Sequence, residues 1–420
     1  REAASPRALD KRNYISVVAG RPASSSRPLH SRTVPSADVL HVCFGGLGGH
    51  LSVVNTLTRE LGAVGVTSGV VAVAPAEAIA STAGSWTGVE FVEPVAIRRR
   101  ADLASMWTAL QSGRRIRSRV VVMHTLRHTT PIALGRLATR QPLHLVTRES
   151  HSLPSRSWIV NVQSASSVMW GQAVVFLTAE NMAGYPLRHL PLRGLRRRRV
   201  IPNGVDVERF RFRPRGDGMW GDPITIGMAA RFVPGKDFAS LVRVIAALRE
   251  EWGDRCPRLI LAGDGPTHAS VRALVDELGV NDRVELLGHV PESQIPEFLD
   301  RLDIYAQLTD GEAFSMSLIQ ACAAGLPIIA SNVPGVRDVF TDHEDALLVE
   351  PRLTEPVVAA IRSLVEPGTG LAARLGAAAH RLGVERYSSR RMAASYLELF
   401  AELDSEGPWL EARGRLADRA

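Results

Sequence analysis

The chain has 420 residues, 45% of them apolar, with a mean hydropathy of +0.01, which is enough for two ordinary domains and excludes general disorder. Its formal charge of +7 suits nucleic acid, an anionic membrane face or phosphorylated substrates, and does not choose among them. Three cysteines, Cys43, Cys256 and Cys322, lie far apart with no CxxC spacing, which argues against a disulfide framework or a thiolate zinc site and reads as buried thiols in a reducing cytosol.

Residues 1–37, rich in Ser, Pro and Arg, read as a disordered basic leader without the apolar core of a signal peptide. Next come a strand at "DVLHVCF" (38–44), a glycine turn at "GGLGGH" (45–50), an amphipathic helix and the strand "GVVAVA" (69–74). The alternation continues through strands at 119–124, 142–147 and 173–178, with "RVIPNGVD" at 199–206. A second series opens at "DPITIGMAAR" and runs through strands at 258–263, "RVELLGHV", 303–308, 326–331 and "ALLVEP", with helices between them. Two alternating series predict an α/β chain of two doubly wound, Rossmann-like domains, 38–212 and 220–388. The stretch "RFRFRPRGDGMWGD" reads as their linker, and the helix at about 389–410 is expected to pack back across it. No run of about 18 apolar residues predicts a membrane span.

In open parallel sheets ligands sit beyond the carboxyl ends of the strands, so two such domains face one another across a ligand cleft. Four groups of residues fall there. "FGGLGGH" brings Gly45 and Gly46 to a helix start, where backbone can approach an anion, but Pro75 stands where a nicotinamide-binding strand would carry its carboxylate. "ARFVPGKD" puts Arg231 and Lys236 in one loop, able to clamp a diphosphate. Only Lys11 and Lys236 are lysines, against 48 arginines, so a lysine at 236 points to a job a guanidinium does poorly. "GEAFSMSLIQACAAG" sets Glu312 in a loop, Ser315 or Ser317 as a helix N-cap, first-turn amides near Phe314 to Ser317 for phosphate, and Gln320 two turns along. His151 in "TRESHS" is a further sugar-contact candidate, weighed against a satisfied structural histidine. No DxD or other carboxylate pair suited to a divalent ion stands out, so phosphate stabilisation falls to Arg231, Lys236 and the helix end. The Arg runs 98–100, 114–119 and 196–199 read as solvated faces or as contacts to an anionic membrane; with 5% aromatics, nucleic acid is disfavoured.

Taken in order, "GGLGGH", "VIPNGVDVERF", "GMAARFVPGKDFASLV", "RLILAGDGP", "DRVELLGHV" and "GEAFSMSLIQACAAGLPIIASNVPGVRDVF" resemble the retaining nucleotide-sugar glycosyltransferases of family 4, with the GT-B fold. The resemblance covers nearly all of 38–405. It implies a donor held by the second domain and an acceptor, whether glycan, lipid-linked or small-molecule, held by the first. Arg231 and Lys236 would hold the diphosphate, with Gly45 and Gly46 approaching it, and Glu312 would meet the hexose. Phe314 and Ser315 would complete that site, and Gly288 and Val290 would lie near the nucleobase. It also implies metal-independent transfer with retention, no cofactor beyond the donor, and a role in cell-envelope glycan, glycolipid or secondary-metabolite biosynthesis in the cytoplasm, peripheral to a membrane or free of it. Two departures stand out: the family carries a second Glu, on the ribose, where this chain has Gln320, and the family's sugar-edge His falls on Glu149 or His151. The rivals are a nucleotide-sugar binder without turnover and a GT-B epimerase or phosphorylase; a pyridoxal phosphorylase is disfavoured by the shortage of lysines.

Overall fold

The computed structural model describes residues 34–44, 49–75, 77–79, 85–97, 103–150, 158–216 and 219–419. Residues 1–33 of the basic leader, residues 45–48 of the glycine turn with Gly45 and Gly46, Arg98–Arg100 and His151 lie outside the described residues.

The first domain is a seven-stranded, all-parallel sheet in the order β3-β2-β1-β4-β5-β6-β7. Its strands are β1 (Ser36–Phe44), β2 (Ser68–Ala74), β3 (Phe91–Ala96), β4 (Arg117–Met123), β5 (His144–Glu149), β6 (Ala173–Phe176) and β7 (Arg198–Val200). The central strands read as unbroken apolar runs because helices cover both faces: β2 and β6 are buried along their whole length. On one face lie α1 (Gly49–Ala63) and, from the far end of the chain, α12 (Ser389–Leu403) and α13 (Trp409–Ala417). On the other lie α2 (Leu103–Arg115), α3 (Thr129–Ala138) and α4 (Trp158–Trp170).

The second domain repeats the plan with six parallel strands in the order β10-β9-β8-β11-β12-β13. They are β8 (Thr225–Ala229), β9 (Arg258–Ala262), β10 (Val284–Gly288), β11 (Ile304–Gln307), β12 (Ile328–Ser331) and β13 (Leu347–Val349). The helices are α6 (Phe238–Trp252), α7 (His268–Glu277), α8 (Ile295–Asp300), α9 (Met316–Ala324), α10 (Thr354–Val365) and α11 (Leu371–Tyr387), and a short α5 (Ala179–Ala183) follows β6 in the first domain.

Three elements escape the periodicity reading. Strand β3 is broken in its apolar pattern by Glu93 and Pro94; it lies at the sheet edge, the place where a residue without an N–H is tolerated. Helix α2 buries Ser105, Ala109, Ser112 and Gly113, and both α2 and α4 leave large apolar side chains such as Leu103, Trp107 and Val162 outward. The first strand starts at Ser36, two residues inside the stretch read as leader. The Arg-rich stretch between the domains is not an open tether: Phe210 and Arg215 are buried, and Arg215 Nε donates to the Leu302 carbonyl at 3.1 Å.

The chain's end belongs to its beginning. Met392, Ala393, Tyr396, Leu397 and Phe400 of α12 share one core with Val39, Val53 and Leu57. Phe400 is wholly buried and meets Trp409 edge-on at 5.2 Å. Replacing Phe400 with Ala should destabilise the first domain by about 3–5 kcal/mol, the cost of a large core cavity, read as a lowered midpoint in urea denaturation.

Candidate active site

The two sheets present their strand ends, and therefore the N-termini of the following helices, to a common cleft. Several hydrogen bonds cross it. Ser52 in the first turn of α1 donates to Glu292 Oε1 at 3.1 Å, Asn181 Nδ2 in α5 donates to the Ala313 carbonyl at 3.2 Å, and the Glu180 amide donates to Asp338 at 2.7 Å.

The second domain's lip is built from three loops that lock one another. After β8, residues 230–236 carry Arg231, exposed, and Lys236, mostly buried. This loop is held from below by "GDG" after β9: the Phe232 amide donates to the Asp264 carbonyl at 3.0 Å and the Thr267 amide to the Phe232 carbonyl at 3.1 Å. The approach is so close that a side chain on Gly263, at φ +137°, would sit 1.8 Å from the Ala230 carbonyl oxygen. Phe232 stacks on Phe238 at 3.8 Å between ring centres, and Asp237 caps α6 through the Ser240 amide at 3.0 Å. Lys236 is thus gripped on both sides in sequence, its side chain left pointing into the cleft region where Glu312 stands.

The third loop brings Glu312. Lys236 Nζ and Glu312 Oε2 form an ion pair whose partners are only 18% and 16% exposed. Thr309 fixes the loop base by donating its hydroxyl to the Gly235 carbonyl at 2.8 Å, so the two loops are tied before their charges meet. Gly335 backs Glu312 from behind: at φ +80°, a Cβ there would lie 2.2 Å from the Glu312 carbonyl oxygen.

Helix α9 begins directly after this loop. Of the two serine candidates, Ser315 is the N-cap, accepting from the Leu318 amide at 3.4 Å, while Ser317 donates to Gln307 Oε1 at 3.1 Å. Gly325 closes the helix in the left-handed conformation at φ +71°. Beneath the first turn Tyr305, whose hydroxyl pKa burial pushes up to about 12, lies 3.1 Å from Gln307 Oε1. The helix start, with its unsatisfied amides and positive dipole end, adjoins the Lys236–Glu312 pair.

Gln320 is buried, and its amide nitrogen donates to Glu292 Oε1 at 2.9 Å. Glu292 comes from the loop after β10, two residues beyond Val290, which packs on the core, and four beyond Gly288, at φ +69°. Sequence reasoning missed it: nothing in "PESQ" marks a site residue, although its place just past a strand end was a usable signal. The protein mass around Glu292 raises its carboxyl pKa above the ordinary value, and Ser52, Arg209 and Gln320 pull it back in part, while 47% of the side chain stays open.

The sugar-edge alternatives part company. Glu149 is buried at the end of β5 and accepts from Ser164 at 2.9 Å, so its carboxylate is engaged inside the first domain. Its neighbour Arg148 is buried too and donates to Asn203. His124 is packed against the buried His41, with ring nitrogens 3.2 Å apart, and burial lowers the His41 pKa to about 3. All three described cysteines are buried and reduced.

Residues 215–382 match the family model of the glycosyl transferases group 1. The chain is 26% identical over 312 residues to a 2-deoxystreptamine glucosyltransferase of Streptomyces kanamyceticus, covering 70% of this chain and 76% of the relative. It is 32% identical over 177 residues to the lipopolysaccharide core biosynthesis glycosyltransferase LpsD of Rhizobium meliloti, 42% of this chain and about half, 49%, of that one. Among solved structures, Anabaena Alr3699/HepE in complex with UDP and glucose superposes with a TM-score of 0.71 over 87% of this chain and 100% of its own, at 17% identity, a likeness of fold. The group 1 glycosyl transferase match thus lies on the second domain, and the two-domain frame is the GT-B fold of the solved neighbours.

Because Gly335 leaves no room for a methyl group beside the Glu312 carbonyl, Gly335→Ala should displace the Glu312 loop. The expected cost is about 2 kcal/mol or more, read as a fall of several degrees in Tm.

Proposed function

We propose that the chain moves a hexose from a nucleoside diphosphate sugar to an acceptor hydroxyl, with retention of anomeric configuration and without a divalent ion. The observation that carries this reading is the half-sheltered Lys236–Glu312 pair at the start of α9, with Arg231 in the same loop. The relatives named as glucosyl- and glycosyltransferases, and the UDP and glucose held by the Anabaena neighbour, support the donor class. In the proposed complex the donor diphosphate takes Lys236 and Arg231 as partners, and the amides of Phe314 and Ser315, just ahead of α9, face the phosphate. Glu312, released from its lysine, accepts hydrogen bonds from the hexose hydroxyls. Charge that develops on the leaving phosphate meets fixed cations and dipoles, which replace the role of a metal. The leaving phosphate then assists proton removal from the acceptor on the same face of the sugar.

Donor turnover separates this reading from a binder that never transfers. Purified chain should hydrolyse its donor slowly, with EDTA present, and Lys236→Ala and Glu312→Ala should each lower that rate about a hundredfold or more while the folded state persists in circular dichroism. Nucleotide binding without any turnover, across the common donors, would move the assignment to a binding protein.

A second observation bears on the acceptor. Helices α2, α3 and α4 lie side by side on one face of the first sheet and expose Leu103 (86%), Trp107 (62%), Leu134, Leu137, Val162 (59%) and Met169 at helical spacings. Between residues 97 and 170 stand twelve arginines, of which Arg136 and Arg148 are buried, against two acids, Asp102 and Glu149, the latter buried. An apolar face in such a basic setting fits an anionic lipid bilayer, and we take it as the seat from which a lipid-linked acceptor would be reached. None of the described helices is long and apolar enough to cross a membrane. The chain should sediment with vesicles containing phosphatidylglycerol and not with phosphatidylcholine vesicles alone, and Leu103→Ser with Trp107→Ser should cut that binding about fivefold or more.

A further inference from the structure

Position 320 carries an amide where the related enzymes named by the sequence resemblance carry a carboxylate, yet a carboxylate is present in the same place. Glu292 Oε1 accepts from Gln320 Nε2 at 2.9 Å and from Ser52 Oγ of the first domain at 3.1 Å. Arg209 adds a third hold, donating to the Glu292 carbonyl at 3.0 Å with its other guanidinium nitrogen 4.0 Å from Oε1. Among the described residues both side-chain hydrogen bonds fall on Oε1, and about half of the side chain (47%) faces the cleft. Oε2 is therefore free to take a ligand's hydroxyl.

The position suits one part of a nucleotide. Glu312 and the first turn of α9 mark the sugar and phosphate end, and Gln320 lies four residues past Met316, about 6 Å along the axis at 1.5 Å per residue. A ribose attached to a diphosphate anchored at that helix start would have its diol at this distance. A vicinal diol offers two donors, and an ionised carboxylate is the side chain that accepts from both with charge-assisted bonds. Gln320 serves that way less well, because its oxygen is neutral and accepts more weakly, while one of its two N–H groups already holds Glu292. The amide is, however, suited to holding a carboxylate: a Glu at 320 would set two like charges side by side.

We propose that Glu292 is the ribose-binding carboxylate of this chain and that Gln320 is its positioning residue, with Ser52 coupling the contact to domain approach. This rests on reading the cleft as a nucleoside diphosphate donor site. It assigns the ribose contact to the loop after β10, whose neighbours Gly288 and Val290 were expected near the base, so that base and sugar of the nucleoside would be read by one loop.

The test is calorimetric titration of the full chain with UDP, GDP and ADP, then with the 2′-deoxy counterpart of whichever binds. Wild type should prefer the ribonucleotide roughly tenfold or more, the worth of a hydrogen bond to a charged group. Glu292→Gln should lose that preference by weakening only the ribonucleotide. Gln320→Leu should narrow it in the same sense, a pattern that a merely structural glutamine would not produce, since loss of fold weakens both ligands alike. Circular dichroism melts of both variants separate that case. If Glu292→Gln leaves the preference intact, or weakens both nucleotides equally while folded, the assignment of Glu292 is wrong. If no nucleoside diphosphate binds wild type at millimolar concentration, the donor-site reading fails and takes this assignment with it.

Discussion

The arrangement of the second domain turns on an ion pair that two separate loops must bring together. Lys236 and Glu312 lie 76 residues apart, at the ends of adjacent strands β8 and β11, and both are largely sheltered from water. Removing one partner of such a pair leaves a charge stranded in a poor solvent, which costs far more than the pair itself returns. The pair therefore depends on a rigid setting. Gly263 and Gly335 supply it by letting backbone approach where any side chain would collide, and Thr309 ties the loops at their base. A diphosphate able to replace Glu312 as the partner of Lys236 would enter a site where the counter-charge is already paid for by the fold.

The same constraint explains which glycines matter. Gly263 and Gly335 sit behind the site, not in it, and each is needed because its φ is positive and its Cβ has no space. Gly235, also at positive φ, has open space around its Cβ, so its requirement is conformational alone. Sequence reading sees all of these as loop glycines. Only the distances to the Ala230 and Glu312 carbonyls separate the buttresses from the turns.

Much of the frame was legible because both parallel sheets are covered on two faces, so their strands read as apolar runs separated by helices of clear period. The N-cap and stop of α9 were legible for the same local reason, being set by Ser315, Gly325 and Pro327 themselves. What escaped was what depends on neighbours distant in sequence. Strand β3 is a strand because β2 offers it an edge, and Phe210 and Arg215 are buried because the second domain lies against their segment. The linear frame leaves Glu149 and His151 as equal alternatives, and only the fold shows that Ser164 on α4 donates to Glu149 inside the domain.

Gln320 is the clearest case of a residue that cannot be judged alone. In the sequence it is a neutral amide beside a motif that resembles one with two carboxylates. In the folded chain it is one half of an amide and carboxylate couple, with Glu292 28 residues earlier on a different loop. A carboxylate on this loop meets the cleft from a different direction than one on the helix would, and Ser52 of the other domain reaches the oxygen that Gln320 holds. A helical Glu would be fixed by its own backbone. A loop Glu needs an orienting donor, and a buried glutamine on the rigid helix beside it supplies that donor without adding a like charge. The amide on the helix and the carboxylate on the loop act as one couple, and the contact between domains through Ser52 falls on the same oxygen.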